Sequence, residues 1–453
     1  MNNLYAGFAR SNINPMLGIG LTGYFIDRES DGILDDLELT VVALQAGDRR
    51  ALLATFDLEG IRQTTADEMR RHTAEVTGVP YEAIFISATH THTGPFSKDD
   101  PFIHDAKNEK LAEEYTRLLN WRMADTARAA IADLKPARMG FGVGQAPNVA
   151  FVRRFVMKDG SIRTNPGVDN PDIVRPLGDV DERVNVLRFD QENGVSIVLA
   201  NFGNHPDVVG GCKISADWPG MTRRTVEKAL DNTRCIFFNG AQGDVNHVNV
   251  HPRGGYLNGM FMDFDDVARG YAHAQYIARV VTGGVMQAFD KVEYVDVDAI
   301  TAVQKTIDVP ANVPDPADMP LAHKYNDLHN AGRDDEIPYT GMMLTTVVAE
   351  AGRMVKLENG PEAFPMYLSA VKIGPVALFG MPGEPFTGIG RAIKEAEGYS
   401  LVLPCCLTNG NEGYFPMKDA YDEGGYEARS SYFKTGVAEL IIAEGKKLLS
   451  ELK

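Results

Sequence analysis

Two histidines stand two residues apart in the run Ser87-Ala88-Thr89-His90-Thr91-His92-Thr93-Gly94-Pro95. In extended chain such residues point to the same side. The spacing therefore puts two imidazoles on one metal ion, or one on the ion and one beside it. Gly94 and Pro95 turn the chain away and leave the rings accessible. The structural alternative is a pair of surface histidines in a polar loop. A zinc site needs a third and a fourth ligand, usually another histidine and a carboxylate. His205, in Asn204-His205-Pro206, and Glu384, in Gly383-Glu384-Pro385, are the natural candidates. The alternatives are a structural histidine and a carboxylate at the start of the next helix. His72, His104, His247, His251, His273, His323 and His329 lack such a setting and read as structural or surface residues, with His247 near Asp244 the least certain of them.

The elements that must position these residues follow one pattern. Polar, glycine-rich clusters come directly after short apolar strands. His90 and His92 follow a strand at 83–88, and Asn204-His205-Pro206 ends one at 195–202. Asn239-Gly240-Ala241-Gln242-Gly243-Asp244 follows 234–238, Met381-Pro382-Gly383-Glu384 follows 376–379, and Asn411-Glu412-Gly413-Tyr414 comes after 401–403. In α/β proteins ligands gather at the carboxyl ends of strands. Five such ends point to one shared pocket.

Hairpins are expected at 39–56, around Gly47-Asp48, and at 184–202, around Asn193-Gly194. Helices are expected after a Thr65-x-x-Glu68 capping box, ending at Gly78, and at 110–134, 219–230, 265–289, 386–397 and 432–449. The Pro-, Asp- and Asn-rich stretch 309–338 reads as a surface excursion, either a plain loop or one that covers substrate. Strands alternating with helices define an α/β fold, with layered mixed β-sheets flanked by helices.

The 453 residues carry 45 Lys and Arg against 62 Asp and Glu, a formal net charge of −17. Such acidity disfavours nucleic acid and anionic membrane surfaces as partners. No stretch approaches the roughly 20 apolar residues of a membrane span. Cys212, Cys235, Cys405 and Cys406 show no CxxC spacing, so no zinc knuckle is expected. Reduced thiols and the lack of an apolar leader set the expectation of a cytoplasmic protein. There is no Gly-x-Ser-x-Gly elbow and no Walker loop. Gly18-Ile19-Gly20-Leu21-Thr22-Gly23 lacks the strand–helix setting of a dinucleotide loop.

The motifs together resemble those of the neutral, or neutral/alkaline non-lysosomal, ceramidases. The likeness runs from Gly7-Phe8-Ala9-Arg10-Ser11-Asn12-Ile13-Asn14-Pro15 through the histidine motif, Asn204-His205-Pro206, Ile214-Ser215-Ala216-Asp217 and Asn239 to Asp244. It continues through Gly383-Glu384-Pro385-Phe386-Thr387 and ends at Gly413-Tyr414 and Tyr426-Glu427. It implies a catalytic domain over the whole of 1–453 that hydrolyses an amide bond of an N-acyl substrate. It implies one zinc ion held by His90, His205, Glu384 and Tyr414. His92 would be the general base on the attacking water. Tyr426, twelve residues after Tyr414, and an arginine, Arg153 in preference to Arg154, would stabilise the tetrahedral intermediate. Asp217 and Asp244 would orient histidines, or serve as turn and cap residues.

Two departures stand out. Gly243-Asp244-Val245 leads to Asn246 where the family has serine, which removes a serine nucleophile at that position. The family's additional C-terminal immunoglobulin-like domain and secretion signal are not apparent. A small soluble amide suits this chain better than a membrane-embedded sphingolipid. Alternatives are an esterase, lactonase or cyclic-amide hydrolase on the same site, and a non-catalytic binding protein of the same fold.

Overall fold

The computed structural model describes residues 3–100 and 103–452. The chain opens with β1 (Leu4–Asn12), followed by the hairpin β2 (Glu38–Ala46) and β3 (Arg49–Phe56). Gly47, at φ +59°, supplies the left-handed turn between them. Next come α1 (Gln63–Thr77), β4 (Ile84–Ala88), α2 (Ala106–Ala132) and β5 (Lys135–Gln145). A second hairpin joins β6 (Arg183–Gln191) to β7 (Ser196–Phe202), and α3 (Asp217–Ala229), β8 (Thr233–Asn239) and α4 (Tyr271–Phe289) follow. Among the described residues these strands line up as β8-β7-β6-β5-β1-β2-β3-β4. Short β9 (Glu293–Val295) pairs with β5 to complete a nine-stranded sheet.

The second half contains β10 (Ile300–Pro310), α5 (Met319–Asn330), α6 (Gly341–Leu357), β11 (Ala363–Ile373), β12 (Val376–Gly380) and β13 (Glu384–Pro385). Then come α7 (Thr387–Lys394), β14 (Leu401–Cys405), β15 (Tyr414–Phe415) and α8 (Val437–Glu451). Strands β10-β11-β12-β14 form a four-stranded sheet.

Period-2 alternation explains how the layers stack. Along β7, Ile197 and Leu199 join the core between the two sheets, while Val198, Ala200 and Phe202 pack under α3 and α4. Along β12, Val376 and Leu378 enter the same inter-sheet core, while Ala377 and Phe379 pack under α7 and α8. The result is helices, sheet, sheet, helices. The large sheet curls until its two edges meet. The segment after β14 stitches them, with Asn409 N donating to Ile86 O at β4 (2.8 Å) and Cys406 N to Asn239 O at β8 (3.0 Å). Edge pairing thus satisfies backbone groups that would otherwise be exposed.

Several expectations need correction. Helix α1 begins at Gln63, and Arg62 precedes it with no side-chain cap, so Thr65 and Glu68 form no capping box. Arg62 is held by Asn411 O (2.7 Å), which starts the helix early and turns Thr65 into the buried face. The helix expected at 265–289 begins only at Tyr271, because Arg269 turns inward to pair with Asp207 and Asp265. Within 309–338 the chain is not plain loop: it contains α5, packed on α6. Strands β1 and β5 and helix α6 had no strong local signal in the sequence. Among the described residues no helix is long and apolar enough to cross a membrane.

Candidate metal centre

Three parallel pairs, β3 with β4, β7 with β8 and β12 with β14, send their carboxyl ends to one place. His90 follows β4 and adopts φ +78°, a left-handed conformation strained for a residue with a Cβ. Its amide donates to Leu58 O (2.8 Å), and its Nδ1 lies 2.7 Å from Glu59 O. That carbonyl can only accept, so Nδ1 carries the proton and Nε2 offers a lone pair. His205, after β7, is set the same way, with Nδ1 3.3 Å from Gln242 O. The two Nε2 atoms face each other at 3.2 Å, and His92 Nε2 is also 3.2 Å from His90 Nε2.

Glu384 begins β13 and aims its Oε2 at the same point, 3.2 Å from His90 Nε2 and 3.4 Å from His205 Nε2. This oxygen is buried and accepts no hydrogen bond. Burial opposes protonation of His90, but without a cation Glu384 and Glu59 outweigh it and push its pKa up to about 9, so a bound metal ion takes the place of a proton on Nε2. Two nitrogens each about 2.05 Å from a tetrahedral ion stand about 3.3 Å apart. Buried lone pairs at that spacing, beside an orphaned carboxylate, fit a zinc-sized divalent cation.

Tyr414 lies on β15 directly opposite Glu384 in the β13–β15 pair, and its ring stacks on His205 at 6.5 Å. Tyr426 heads a short helix, Tyr426–Ser430, and meets Tyr414 edge-on at 5.5 Å. Burial and Glu384 raise both phenols, so both hydroxyls stay protonated at neutral pH. The Arg153 guanidinium sits 5.4 Å from the Tyr414 ring, anchored by Glu427 Oε1 (2.7 Å) and Gly243 O (2.8 Å). Arg154 turns the other way, toward Glu423 and Phe386.

Neither Asp217 nor Asp244 touches a histidine. Asp217 Oδ2 accepts from Val208 N and Val209 N (both 2.9 Å), fixing the loop after His205. Asp244 Oδ1 caps α7 through Thr387 N (2.7 Å). The carboxylate beside a histidine is Asp207, which the sequence reading missed. Its Oδ1 lies 3.7 Å from His92 Nδ1, too far for a hydrogen bond but close enough to favour the Nδ1–H tautomer. Arg269 grips both oxygens of Asp207 (2.8 and 2.9 Å), and Tyr24 donates its hydroxyl to Oδ1 (2.5 Å). Burial raises the Asp207 pKa, but Arg269 outweighs it and holds the carboxyl well below the usual range. The period-2 rule that picked out His90 and His92 applies equally to His205 and Asp207. Tyr24 and Arg269 carry no local signal. Gly20 and Gly23 serve packing: Gly20 lies against Phe96, and Gly23, at φ +98°, lies against His92, where a Cβ would come within 2.8 Å of the ring. His247 is buried and bonded to Ala268 O (2.7 Å), a structural residue.

A cleft of about 510 Å³ opens from Glu384, Tyr414 and Tyr426 to the outside, walled by α6 and the end of α5.

A curled sheet and a second sheet, sandwiched by helices, form a fold shared with solved ceramidase structures. A crystal structure of neutral ceramidase from Pseudomonas aeruginosa matches with a TM-score of 0.71 at 17% identity, covering 100% of this chain and 75% of that one. A structure described as a ceramidase complexed with C2 matches with a TM-score of 0.72 at 18% identity, covering 100% and 76%. At these identities the likeness establishes the fold. No family model and no curated protein matches the sequence.

Proposed function

We propose that this protein is a zinc-dependent hydrolase that cleaves the amide bond of an N-acyl substrate. The observation that carries the reading is the convergence of the His90 and His205 Nε2 atoms on Glu384 Oε2, with His92 Nε2 3.2 Å from that of His90. A buried carboxylate among imidazole lone pairs is costly without a cation. In this reading His90, His205, Glu384 and Tyr414 hold the ion. Bound there, zinc supplies Lewis acidity, polarising a carbonyl and acidifying water.

The protein's own groups do the rest. Burial holds the His92 imidazole neutral, since its pKa is pushed well below 6.5. With Asp207 favouring a proton on Nδ1, Nε2 is free to take the proton of the attacking water and later return it to the leaving amine. Tyr426 donates its hydroxyl to the oxyanion, and Arg153 adds fixed positive charge beside it. The walls of the cleft exclude bulk water and orient the acyl group.

The test is metal content after purification without added metal, followed by an amide and ester panel. About one zinc per chain with amide turnover supports the reading. Faster ester or lactone turnover would shift the bond cleaved. A chain that takes up no metal would favour a binding protein of the same fold.

A further inference from the structure

We propose that the outer wall of the cleft is an anion subsite, formed by Arg62 and Lys356, that selects amides bearing a carboxylate over neutral ones. This deepens the hydrolase reading and rests on it. Away from the metal cluster this cleft sets Arg62, Lys356 and Glu412 among apolar residues such as Phe25, Val348 and Phe364. Among the described residues, neither Arg62 nor Lys356 has a carboxylate within the 4.0 Å of an ion pair. Of the other arginines around the site, Arg153 pairs with Glu427, Arg154 with Glu423 and Arg269 with Asp207, while Arg353, also on the cleft wall, is held by the carbonyls of Asn312 and Arg429. The chain carries a net charge of −17, yet this cleft presents cations with no carboxylate in ion-pair reach.

The subsite is tied to the metal cluster by a short chain of contacts. Arg62 Nη1 donates to Asn411 O (2.7 Å), Asn411 Nδ2 donates to Glu59 Oε2 (3.1 Å), and Glu59 O accepts from His90 Nδ1 (2.7 Å). A carboxylate on Arg62 is therefore held at a set position relative to the reacting carbonyl. Arg62 also stands at the start of α1, whose free amides add positive potential. Lys356 reaches in from the exposed rim of α6, its ammonium 5.1 Å from the Tyr432 ring centre. Glu59 and Glu384 also line the cleft but face the histidines. Glu412 is the carboxyl whose charge acts on the two cations. An N-acyl amino acid, or a monoamide of a short dicarboxylic acid, matches this layout. The two differ in which half carries the charge.

The experiment compares the zinc-loaded protein on N-butanoylglycine, on the N-propyl monoamide of succinate, and on neutral N-butanoyl-propylamine. The kcat/KM ratio of the better acid to the neutral amide should exceed one. It should fall about tenfold in Lys356→Met and in Arg62→Gln, the size of one lost charged contact. Lys356→Arg should restore it, and Glu412→Gln should raise it. The same compounds are measured in parallel by calorimetric binding. If an acid binds more tightly than the neutral amide, with the loss in Lys356→Met, but nothing is hydrolysed, the subsite stands and the hydrolase reading falls. If the neutral amide binds and turns over equally well and Lys356→Met leaves the ratio unchanged, the subsite is overturned. Long-chain ceramide in detergent turned over faster than either acid would overturn it as well.

Discussion

The Nε2 atoms of His90 and His205 stand 3.2 Å apart with both lone pairs turned toward each other, because each Nδ1 is committed to a backbone carbonyl. Bare lone pairs at this distance repel, so without a metal ion the pair holds a proton on His90. A shared cation turns the repulsion into coordination. Adding zinc to the metal-free protein is thus expected to raise its melting temperature, by about 2.7 kcal/mol of stability at a hundredfold excess over Kd. Glu384→Gln should cut zinc affinity at least about tenfold. Scanning calorimetry with and without zinc reads both, and an unmoved melting temperature would count against the site.

His92 sits as close to His90 as His205 does, so geometry alone allows it as ligand or base. As base, His92→Ala keeps about one zinc per chain while turnover drops by a factor of roughly 10² to 10⁴. His205→Ala loses both. An empty site in His92→Ala would make His92 a ligand.

Asp207 orients His92 from behind while being clamped by Arg269. Asp207→Asn should lower kcat about tenfold with KM little changed. It should also cost about 2 kcal/mol of stability, because the buried Arg269 loses one partner yet keeps Asp265. Steady-state kinetics and urea titration separate the two effects.

Asp217 accepts three buried amides, those of Val208, Val209 and Trp218. Asp217→Ala leaves them without an acceptor, at a cost of about 3 kcal/mol. The loop that carries His205 and Asp207 loosens with them. Zinc content should fall together with stability, whereas Asp217→Asn should retain part of both.

Asp181 joins the start of β6 to α7 through Arg183 (2.8 Å) and Lys394 (2.9 Å). Burial works to raise its pKa, but these two cations outweigh it and hold the value below 3.8. A depressed carboxylate contributes stability that is present above its unfolded pKa and is lost as pH falls through the folded value. Asp181→Asn should lower the melting temperature at pH 7, and the gap to the parent should shrink as pH falls below 4. A gap that stays constant with pH would contradict the pairing.

Much of the site was legible because its signals are local. An apolar strand followed by a polar, glycine-rich end can be read over ten residues, and five such ends do converge. The hairpins were legible too, since Gly47 and Asn193-Gly194 supply the turn chemistry that fixes register. Helix starts were less so. Thr65 and Glu68 have the right spacing for a cap, but Asn411, far away in sequence, holds Arg62 and moves the start.

By itself the sequence determined the layered α/β class, the strand ends, and the histidines and glutamate that stand on them, because period and turn chemistry are properties of neighbouring residues. Only the tertiary structure decided that the edges of the large sheet close on one another, that Arg153 and not Arg154 lies over Tyr414, and that Asp207 stands behind His92. It alone gathered Arg62 and Lys356 on one wall. These depend on contacts between segments up to some 350 residues apart, such as Arg62 with Asn411. Long-range closure is set by how buried surfaces fit together and by which buried charges find partners, and no local pattern encodes that.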